Sequence, residues 1–181
     1  MILTMRAKRK SKRGLVDLSN FVIKSGPITM VEIGSYQGES TEIFCNNSSI
    51  AKVYSVDPYL NGYDPDDAAS TTPMNIVEES FNKRMAVFIE SGKCIKLKMK
   101  SEDALNYINE PNNFVYIDGC HTYEAVKYDL ENWIKKIQNG GYIGGHDYKF
   151  KGVRRAIDEF ISENNLKIEQ LYCDTSWLIR A

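Results

Sequence analysis

The sequence predicts an α/β fold, in which a doubly wound, mostly parallel sheet carries helices on both faces. Short apolar runs rich in β-formers alternate with longer segments of helical period, and no internal repeat or linker interrupts them. The chain has 181 residues, 43% hydrophobic and 26% charged, which is typical of one globular domain. It has no apolar run long enough to cross a membrane and no secretory signal, so we expect a cytoplasmic protein.

Five apolar runs rich in β-branched and aromatic residues predict the parallel strands. The runs are Met30–Gly34, Lys52–Asp57, Cys94–Met99, Asn113–Asp118 and Tyr142–His146. Near the end of the chain, Leu166–Cys173 and Ser176–Ala181 predict a closing hairpin. Together these runs predict a sheet of seven strands.

Apolar residues at helical spacing predict the helices. The apolar positions are Leu15, Leu18 and Val22 before the first strand; Val77, Phe81, Met85 and Phe88 before the third; Val126, Leu130, Trp133, Ile134 and Ile137 before the fifth; and Val153, Ile157, Phe160 and Ile161 after it. A short helix is expected to start near Ser101 and to end before Pro111. We expect Gly140-Gly141 to stop the long helix after Ile137.

Charge separates the first residues from the rest of the chain. Residues 1–13 contain six of the 23 basic residues and no acid, whereas residues 14–181 carry a net charge of −7. We therefore divide the chain into a basic N-terminal arm, 1–13, and a single domain, 14–181. A basic arm can bind phosphates, but the domain offers no matching basic face. A solvated terminus is the preferred interpretation, and nucleic acid is not an expected partner.

The predicted turn after the first strand indicates a nucleoside site. In open α/β sheets, ligands bind beyond the carboxyl ends of the strands. Gly34 and Gly38 lie in this turn, and Asp57 ends the second strand 19 residues after Gly38, where an acid can bind both hydroxyls of a ribose. The G-x-G-x-x-G pattern of dinucleotide sites and the P-loop are both absent. The combination favours a nucleoside without a pyrophosphate.

Two further strand ends are expected to bring acids and imidazoles to the same edge of the sheet. Asp118 and His121 follow the fourth strand, and His146 and Asp147 follow the fifth. Such convergence favours a site over four separate structural roles. Two chemistries fit the four residues. Asp118, His146 and Asp147 can hold a divalent cation, and His121 can take a proton from a hydroxyl as a general base.

These motifs resemble the class I S-adenosylmethionine-dependent methyltransferases, and more narrowly the small branch that includes sugar and macrolide O-methyltransferases. They run in family order across about residues 30–148. The matching stretches are Val31-Glu32-Ile33-Gly34-Ser35-Tyr36-Gln37-Gly38-Glu39-Ser40, Val53-Tyr54-Ser55-Val56-Asp57-Pro58, Tyr116-Ile117-Asp118-Gly119-Cys120-His121-Thr122-Tyr123-Glu124-Ala125-Val126 and Gly140-Gly141-Tyr142-Ile143-Gly144-Gly145-His146-Asp147-Tyr148. The third stretch together with the fourth is the most specific part of the resemblance.

The resemblance implies S-adenosylmethionine as cofactor and a role for each motif residue. The residues implied to bind the cofactor are Glu32, Gly34, Ser35, Gly38 and Ser40 toward its methionine end, Asp57 at the ribose, Ser101 and Glu102 at the adenine, and Asp118. Asp118 and Asp147 are implied to be metal ligands, and His121 is implied to be the catalytic base beside Asp118. The implied fold is a seven-stranded sheet with an antiparallel last strand, which agrees with the predicted hairpin.

The chain departs from the family pattern in two respects. Metal-dependent relatives usually have an acid where this chain has His146, so affinity for Mg²⁺ should weaken or preference should shift toward a softer transition ion. The chain also lacks the extra segments that often shape an acceptor pocket. Pro58–Asn75 has no clear period, which predicts either a lid or binding loop or a disordered excursion. This loop, or a second copy of the chain in a homodimer, is expected to enclose the substrate.

The sequence therefore predicts methyl transfer from S-adenosylmethionine to a hydroxyl of a sugar or another polar small molecule. Two alternatives stay open at this point. A nucleoside-binding module without acceptor chemistry would keep the glycine turn and Asp57. A metal-dependent hydrolase would use the Asp and His residues of the fourth and fifth strand ends but would leave the glycine turn unexplained.

Overall fold

The computed structural model describes residues 12–23 and 27–181, and it confirms the predicted fold class. The strands are β1 Ile28–Ile33, β2 Ile50–Val56, β3 Cys94–Leu97, β4 Asn112–Ile117, β5 Ile137–Gly145, β6 Ile168–Leu171 and β7 Trp177–Arg180. The helices are α1 Arg13–Val22, α2 Glu39–Asn46, α3 Met74–Glu90, α4 Ser101–Tyr107, α5 Tyr123–Trp133 and α6 Lys151–Glu163, with short 3₁₀ helices at Ala68–Thr71 and Ile134–Lys136. The described strands form one sheet in the order β3-β2-β1-β4-β5-β7-β6.

The strand order places the switch point of the sheet between β1 and β4. β1 pairs in parallel with β2 on one side and with β4 on the other. Ile33 lies opposite both Val56 and Ile117, and Ile117 lies opposite Gly145. Because β1, β2, β4 and β5 end at the same level, the residues that follow them meet at one edge of the sheet.

The predicted antiparallel last strand is confirmed. β7 is antiparallel to both β5 and β6, and Trp177 at its start lies opposite Gly145 at the end of β5. The indole Nε1 of Trp177 donates a hydrogen bond to the carbonyl oxygen of His146 at 3.0 Å. The last strand therefore holds the backbone of a predicted site residue in place.

Two apolar clusters cover the two faces of the sheet. Successive side chains of β1 alternate between them, with Val31 and Ile33 in one cluster and Ile28 and Met30 in the other. Helices α4, α5 and α6 pack in the first cluster, and α1, α2 and α3 pack in the second. Full burial of a large apolar side chain contributes roughly 1.5–3 kcal/mol. Apolar packing on both faces of the sheet therefore fixes the positions of the strand ends that carry the site.

Helix α5 is shorter than its apolar pattern predicts. It ends at Trp133, and Ile137 is the first residue of β5 rather than the last residue of the helix. Ile134 and Ile137 still pack against the same cluster as the buried residues of α5, so their spacing reflects shared burial and not a continuing helix. The prediction that Gly140-Gly141 ends the helix is therefore wrong, because both glycines lie inside β5.

The segment that the sequence predicts as an aperiodic loop, Pro58–Asn75, is partly helical. The segment between β2 and α3, residues 57–73, contains a 3₁₀ helix at Ala68–Thr71, and α3 begins at Met74, inside the range predicted as loop.

Residues 1–11 of the basic arm lie outside the described residues, and Arg13 is the first residue of α1. The domain boundary at residue 13 stays a prediction. In the described part of the chain, the helices are too short or too polar to cross a membrane.

Candidate active site

A cavity of about 780 Å³ opens at the carboxyl edge of the sheet. Its walls come from the turn after β1, the ends of β2, β4 and β5, the β2–α3 loop (residues 57–73), and helices α4 and α5. Pockets for small molecules have volumes of roughly 300–1,000 Å³. This space, which we call the central cavity, is large enough for a nucleoside together with a small acceptor.

The turn after β1 depends on Gly34. The φ of Gly34 is 85°, in the left-handed region, and a Cβ at this position would lie 2.1 Å from the carbonyl oxygen of Asp118. Only glycine allows the turn to approach the end of β4 so closely. Gly34 and Ser35, both predicted to bind a cofactor, line the central cavity.

Asp57 lies just beyond β2 and lines the central cavity, where the sequence predicts a ribose ligand. Its Oδ2 accepts a hydrogen bond from the amide of Tyr36 at 2.9 Å, and its Oδ1 accepts one from the amide of Tyr59 at 2.8 Å. The Ser35 amide also donates to this carboxylate, and because a carboxylate has about four acceptor sites, Asp57 can still accept a hydrogen bond from a ligand. Burial raises the pKa of Asp57, and the backbone amides oppose this rise.

Ser101 and Glu102, predicted at the adenine, line the cavity at the start of α4. The Ser101 hydroxyl donates to Oδ1 of Asp129 at 2.5 Å and accepts from Nε1 of Trp133 at 2.7 Å. Asp129 also lines the cavity, and burial raises its pKa to about 7. Sequence analysis missed Asp129, although an acid directly before Leu130 in the apolar stripe of α5 was an available signal.

Two residues predicted to contact the cofactor do not line the central cavity. Glu32 is fully buried in β1, where it accepts a hydrogen bond from the hydroxyl of Thr41, and burial raises its pKa to about 7. Gly38 precedes α2, and a Cβ there would lie 2.9 Å from the ring of Phe81. The contacts of both residues are with helices, Glu32 with α2 and Gly38 with α3, whereas Ser40 does line the cavity. The motif shared by these positions does not separate ligand contacts from structural ones.

The four residues predicted at the ends of the fourth and fifth strands converge on the cavity wall. Oδ2 of Asp147 lies 3.1 Å from Nε2 of His121 and 3.1 Å from Nδ1 of His146. The same nitrogen of His146 lies 3.9 Å from Oδ1 of Asp118. Asp147 has a φ of 57°, which non-glycine residues rarely adopt. In this conformation one carboxylate contacts both imidazoles.

A fifth member of this cluster comes from the β2–α3 loop. Oδ2 of Asp64 lies 2.5 Å from Nδ1 of His121 and accepts a hydrogen bond from the His121 backbone amide at 3.1 Å. Sequence analysis did not assign Asp64 to the site, because it lies in an aperiodic segment 57 residues before its partner. We call Asp64, Asp118, His121, His146 and Asp147 the Asp/His cluster.

The carboxylates around His121 determine its charge. Burial lowers the pKa of His121, but the hydrogen bonds to Asp147 and Asp64 outweigh burial and raise the pKa to about 9. Burial raises the pKa of Asp147, but the bonds from His121 and His146 hold it well below its usual range. These hydrogen bonds favour the protonated form of His121 at neutral pH, and the role of His121 as the catalytic base stays a prediction.

The donor atoms of the cluster also fit a divalent cation. One ligand atom each from Asp118, His121 and Asp147 lies within 4.8 Å of the other two. Carboxylate oxygens combined with an imidazole nitrogen suit transition ions better than Mg²⁺. This group contains His121 in the place of His146, which the sequence predicts as the third ligand.

The fold and the site define the class of protein. A sheet with an antiparallel last strand, a glycine turn after β1, an acid after β2 and a cavity at the switch point are the architecture of a class I S-adenosylmethionine-dependent methyltransferase. Residues 31–148, more than half of the chain, match the family described as methyltransferase domain. The chain belongs to this family, and the matched range contains Asp57 and all five members of the Asp/His cluster.

One curated relative matches most of the chain. The uncharacterized protein R132 of Acanthamoeba polyphaga mimivirus is 26% identical in an alignment of 141 residues, which covers 75% of this chain and 58% of that protein. The chain therefore spans less than two thirds of the length of this relative.

Solved structures with the same fold have different acceptors. An O-methyltransferase from Bacillus cereus in complex with SAH has a TM-score of 0.64 and 14% identity, covering 99% of this chain and 87% of that chain. CalS11, a TDP-rhamnose 3′-O-methyltransferase of calicheamicin biosynthesis, has a TM-score of 0.64 and 14% identity, covering 91% and 76%. An rRNA methylase from Streptococcus thermophilus has a TM-score of 0.64 and 13% identity, covering 93% and 95%. At these identities the likeness establishes the fold and leaves the acceptor undetermined.

Proposed function

We propose that this domain transfers the methyl group of S-adenosylmethionine to a hydroxyl of a sugar or another polar small molecule. The observation that carries the proposal is that the glycine turn with Asp57 and the Asp/His cluster line one cavity. A nucleoside-binding module would need only the first set of residues, and a metal-dependent hydrolase would need only the second. Because both sets of residues face the central cavity, they suit a reaction between a nucleoside cofactor and a second molecule.

The chain offers separate groups for the two ends of the nucleoside. S-adenosylmethionine supplies an electrophilic methyl group that needs no chemical activation. The remaining acceptor capacity of Asp57 in the cavity wall supports a role in binding the ribose hydroxyls. Glu102 and Asp129 offer further acceptors for the adenine amino group. Correct alignment of two bound reactants contributes about 7–11 kcal/mol toward lowering the barrier.

The acceptor hydroxyl must lose its proton as the new C–O bond forms. We assign the carboxylate of Asp118 as the proton acceptor, because burial raises its pKa and makes it a stronger base than Asp147. Protonated His121 places a positive charge beside the oxygen on which negative charge develops. A divalent cation bound by Asp118, Asp147 and the neutral imidazole of His121 would supply this charge stabilisation in place of the imidazolium.

Product analysis tests the reaction. Purified protein is incubated with S-adenosylmethionine and a panel of sugars, and S-adenosylhomocysteine is measured by mass spectrometry. We expect His121→Ala to bind the cofactor like the wild type and to lower kcat about 10²–10³-fold, as loss of a charge-stabilising donor does. Lost cofactor binding in this variant would instead make His121 a structural residue.

Calorimetry separates the proposal from its alternatives. We expect Asp57→Ala to abolish binding of S-adenosylmethionine, because it removes both carboxylate oxygens from the cavity wall. Asp103→Ala removes an exposed carboxylate outside the cavity lining and should bind like the wild type. Cofactor binding without product from any acceptor would favour the nucleoside-binding module, and hydrolysis without cofactor would favour the hydrolase.

A further inference from the structure

The β2–α3 loop contributes a buried carboxylate to the site, which enters the steps above only through the charge of His121. Asp64 is 7% exposed. Its Oδ2 contacts both the backbone amide and Nδ1 of His121, at 3.1 and 2.5 Å, and its Oδ1 accepts a hydrogen bond from the Asp66 amide at 3.1 Å. One side chain therefore joins the imidazole, the turn after β4 and the loop.

The imidazole of His121 is held on three sides. Asp64 contacts Nδ1, Asp147 contacts Nε2 at 3.1 Å, and the ring of Phe150 stacks on the imidazole with centroids 4.9 Å apart and an angle of 28° between the rings. A half-turn of the ring would replace Nδ1 by a carbon atom and break the contact with Asp64. Asp64 therefore keeps Nε2 of His121, rather than a carbon atom of the ring, turned toward Asp147.

The same contact holds the loop against the site. Loop residues Leu60, Tyr63 and Ser70 line the central cavity. The carbonyl oxygen of Tyr63 also accepts a weak hydrogen bond from Sγ of Cys120 at 3.7 Å, next to His121 in the turn after β4. A thiol is a weak donor, whereas the Asp64 contact joins a carboxylate and an imidazole. Asp64 is thus the stronger of these two links between the loop and the turn.

We propose that Asp64 is a positioning residue, which fixes the His121 ring with Nε2 toward Asp147 and ties the β2–α3 loop to the group that acts on the acceptor. The catalytic part of this inference rests on the proposed function. The orientation of the ring and the protection of the loop do not rest on it, since both can be measured without a reaction. In catalytic triads an aspartate orients a histidine in the same manner, and replacing that aspartate by asparagine lowers kcat about 10⁴-fold.

The experiment compares Asp64→Asn with Asp66→Asn. The first variant keeps the size of the side chain and removes its charge, and the second makes the same change at an exposed residue of the same loop. Three readouts are used: the low-field proton resonance of the His121 Nδ1–H, amide hydrogen exchange of residues 57–73, and kcat with the cofactor Kd. His121→Ala identifies the resonance, which should disappear in that variant.

We expect Asp64→Asn to lose the low-field resonance and to speed up amide exchange in the loop at least about tenfold. Its kcat should fall about 10²-fold, with the cofactor Kd unchanged, because Asp64 acts through His121. Asp66→Asn should match the wild type in all three readouts.

Retention of the resonance and of wild-type loop exchange in Asp64→Asn would overturn the inference, whether or not the protein methylates a substrate. If the wild type yields no methylated product but Asp64→Asn still loses the resonance and loop protection, the proposed function fails and the positioning stands. Should Asp64→Asn not fold, His121→Gln tests the link from the other side. Faster loop exchange in His121→Gln supports the inference, and unchanged exchange contradicts it.

Discussion

At the scale of single residues, Gly34 sets the distance between the two halves of the site. Its left-handed φ of 85° and the 2.1 Å that would separate an added Cβ from the Asp118 carbonyl oxygen both exclude a side chain. The turn after β1 and the end of β4, which both line the central cavity, meet at this contact. A substitution here should therefore disturb both folding and cofactor binding.

We predict that Gly34→Ala lowers the free energy of unfolding by more than the ~1–2 kcal/mol that a left-handed alanine costs. Gly62→Ala is a matched control, because Gly62 has a φ of 68° but no atom within 4 Å of an added Cβ. Urea denaturation measures the free energy of unfolding of both variants. The difference between their losses of stability separates the contact with Asp118 from the effect of the left-handed φ. Equal losses of stability in the two variants would show that the contact is not tight.

The sequence predicts most of the site at this scale, but not the charge of its groups. Asp57, Asp118, His146 and Asp147 follow strands, and parallel strands that end at one level bring such residues together. The pKa of His121 is raised by Asp147, which the sequence places at the site, and by Asp64, which lies in a loop without a periodic pattern. The contribution of Asp64 to the charge of His121 could therefore not be predicted.

At the scale of elements, β1 and α2 are joined by a buried acid. Glu32 in β1 accepts a hydrogen bond from Thr41 in α2, and its Oε1 has no hydrogen-bond partner among the described residues. Burial raises the pKa of Glu32 from 4.5 to about 7. Between these values the folded protein holds a proton that the unfolded chain releases, so stability falls as the pH rises from about 4.5 to about 7.

We predict that Glu32→Gln reduces this dependence on pH. The wild type should lose on the order of 3 kcal/mol across the interval through this residue, and the variant should not. Chemical denaturation at several pH values between 4.5 and 8 measures the difference. Glu90→Gln, at an exposed position of α3, should keep the wild-type dependence. The same pH dependence in wild type and Glu32→Gln would refute the assignment.

Hydrophobic periodicity predicts the strands and helices, but it does not always predict the residues at which they end. The strands and helices occur in the predicted order, because each buries one apolar face against the sheet or its helices. Helix α5 ends before its apolar pattern does, since Ile134 and Ile137 reach the same apolar cluster from a 3₁₀ turn and a strand. A periodic pattern of apolar residues shows which residues are buried, and buried residues continue beyond the end of the helix.

At the scale of the whole molecule, the lining of the central cavity is strongly acidic. Ten of the described residues that line it are Asp or Glu, and one, Lys12, is Lys or Arg. Residues 14–181 also have a net charge of −7. Charges of one sign in a cleft attract ligands of the opposite sign and repel ligands of the same sign.

We predict that neutral or amino-bearing acceptors are methylated better than their phosphorylated counterparts. Paired acceptors that differ by one phosphate should show at least about a tenfold lower kcat/KM for the phosphorylated member at low salt. Added salt should narrow this difference, because it screens charges at the cavity mouth. Preference for the phosphorylated acceptor would contradict the prediction and would favour a role for the basic residues 1–13 in substrate binding.

The most direct measurement of the central claim is a crystal structure of the protein with S-adenosylhomocysteine. We predict a nucleoside in the central cavity, with its ribose hydroxyls on Asp57 and its sulfur atom directed toward Asp118 and His121. A nucleoside bound elsewhere, or a sulfur atom directed away from these two residues, would contradict it.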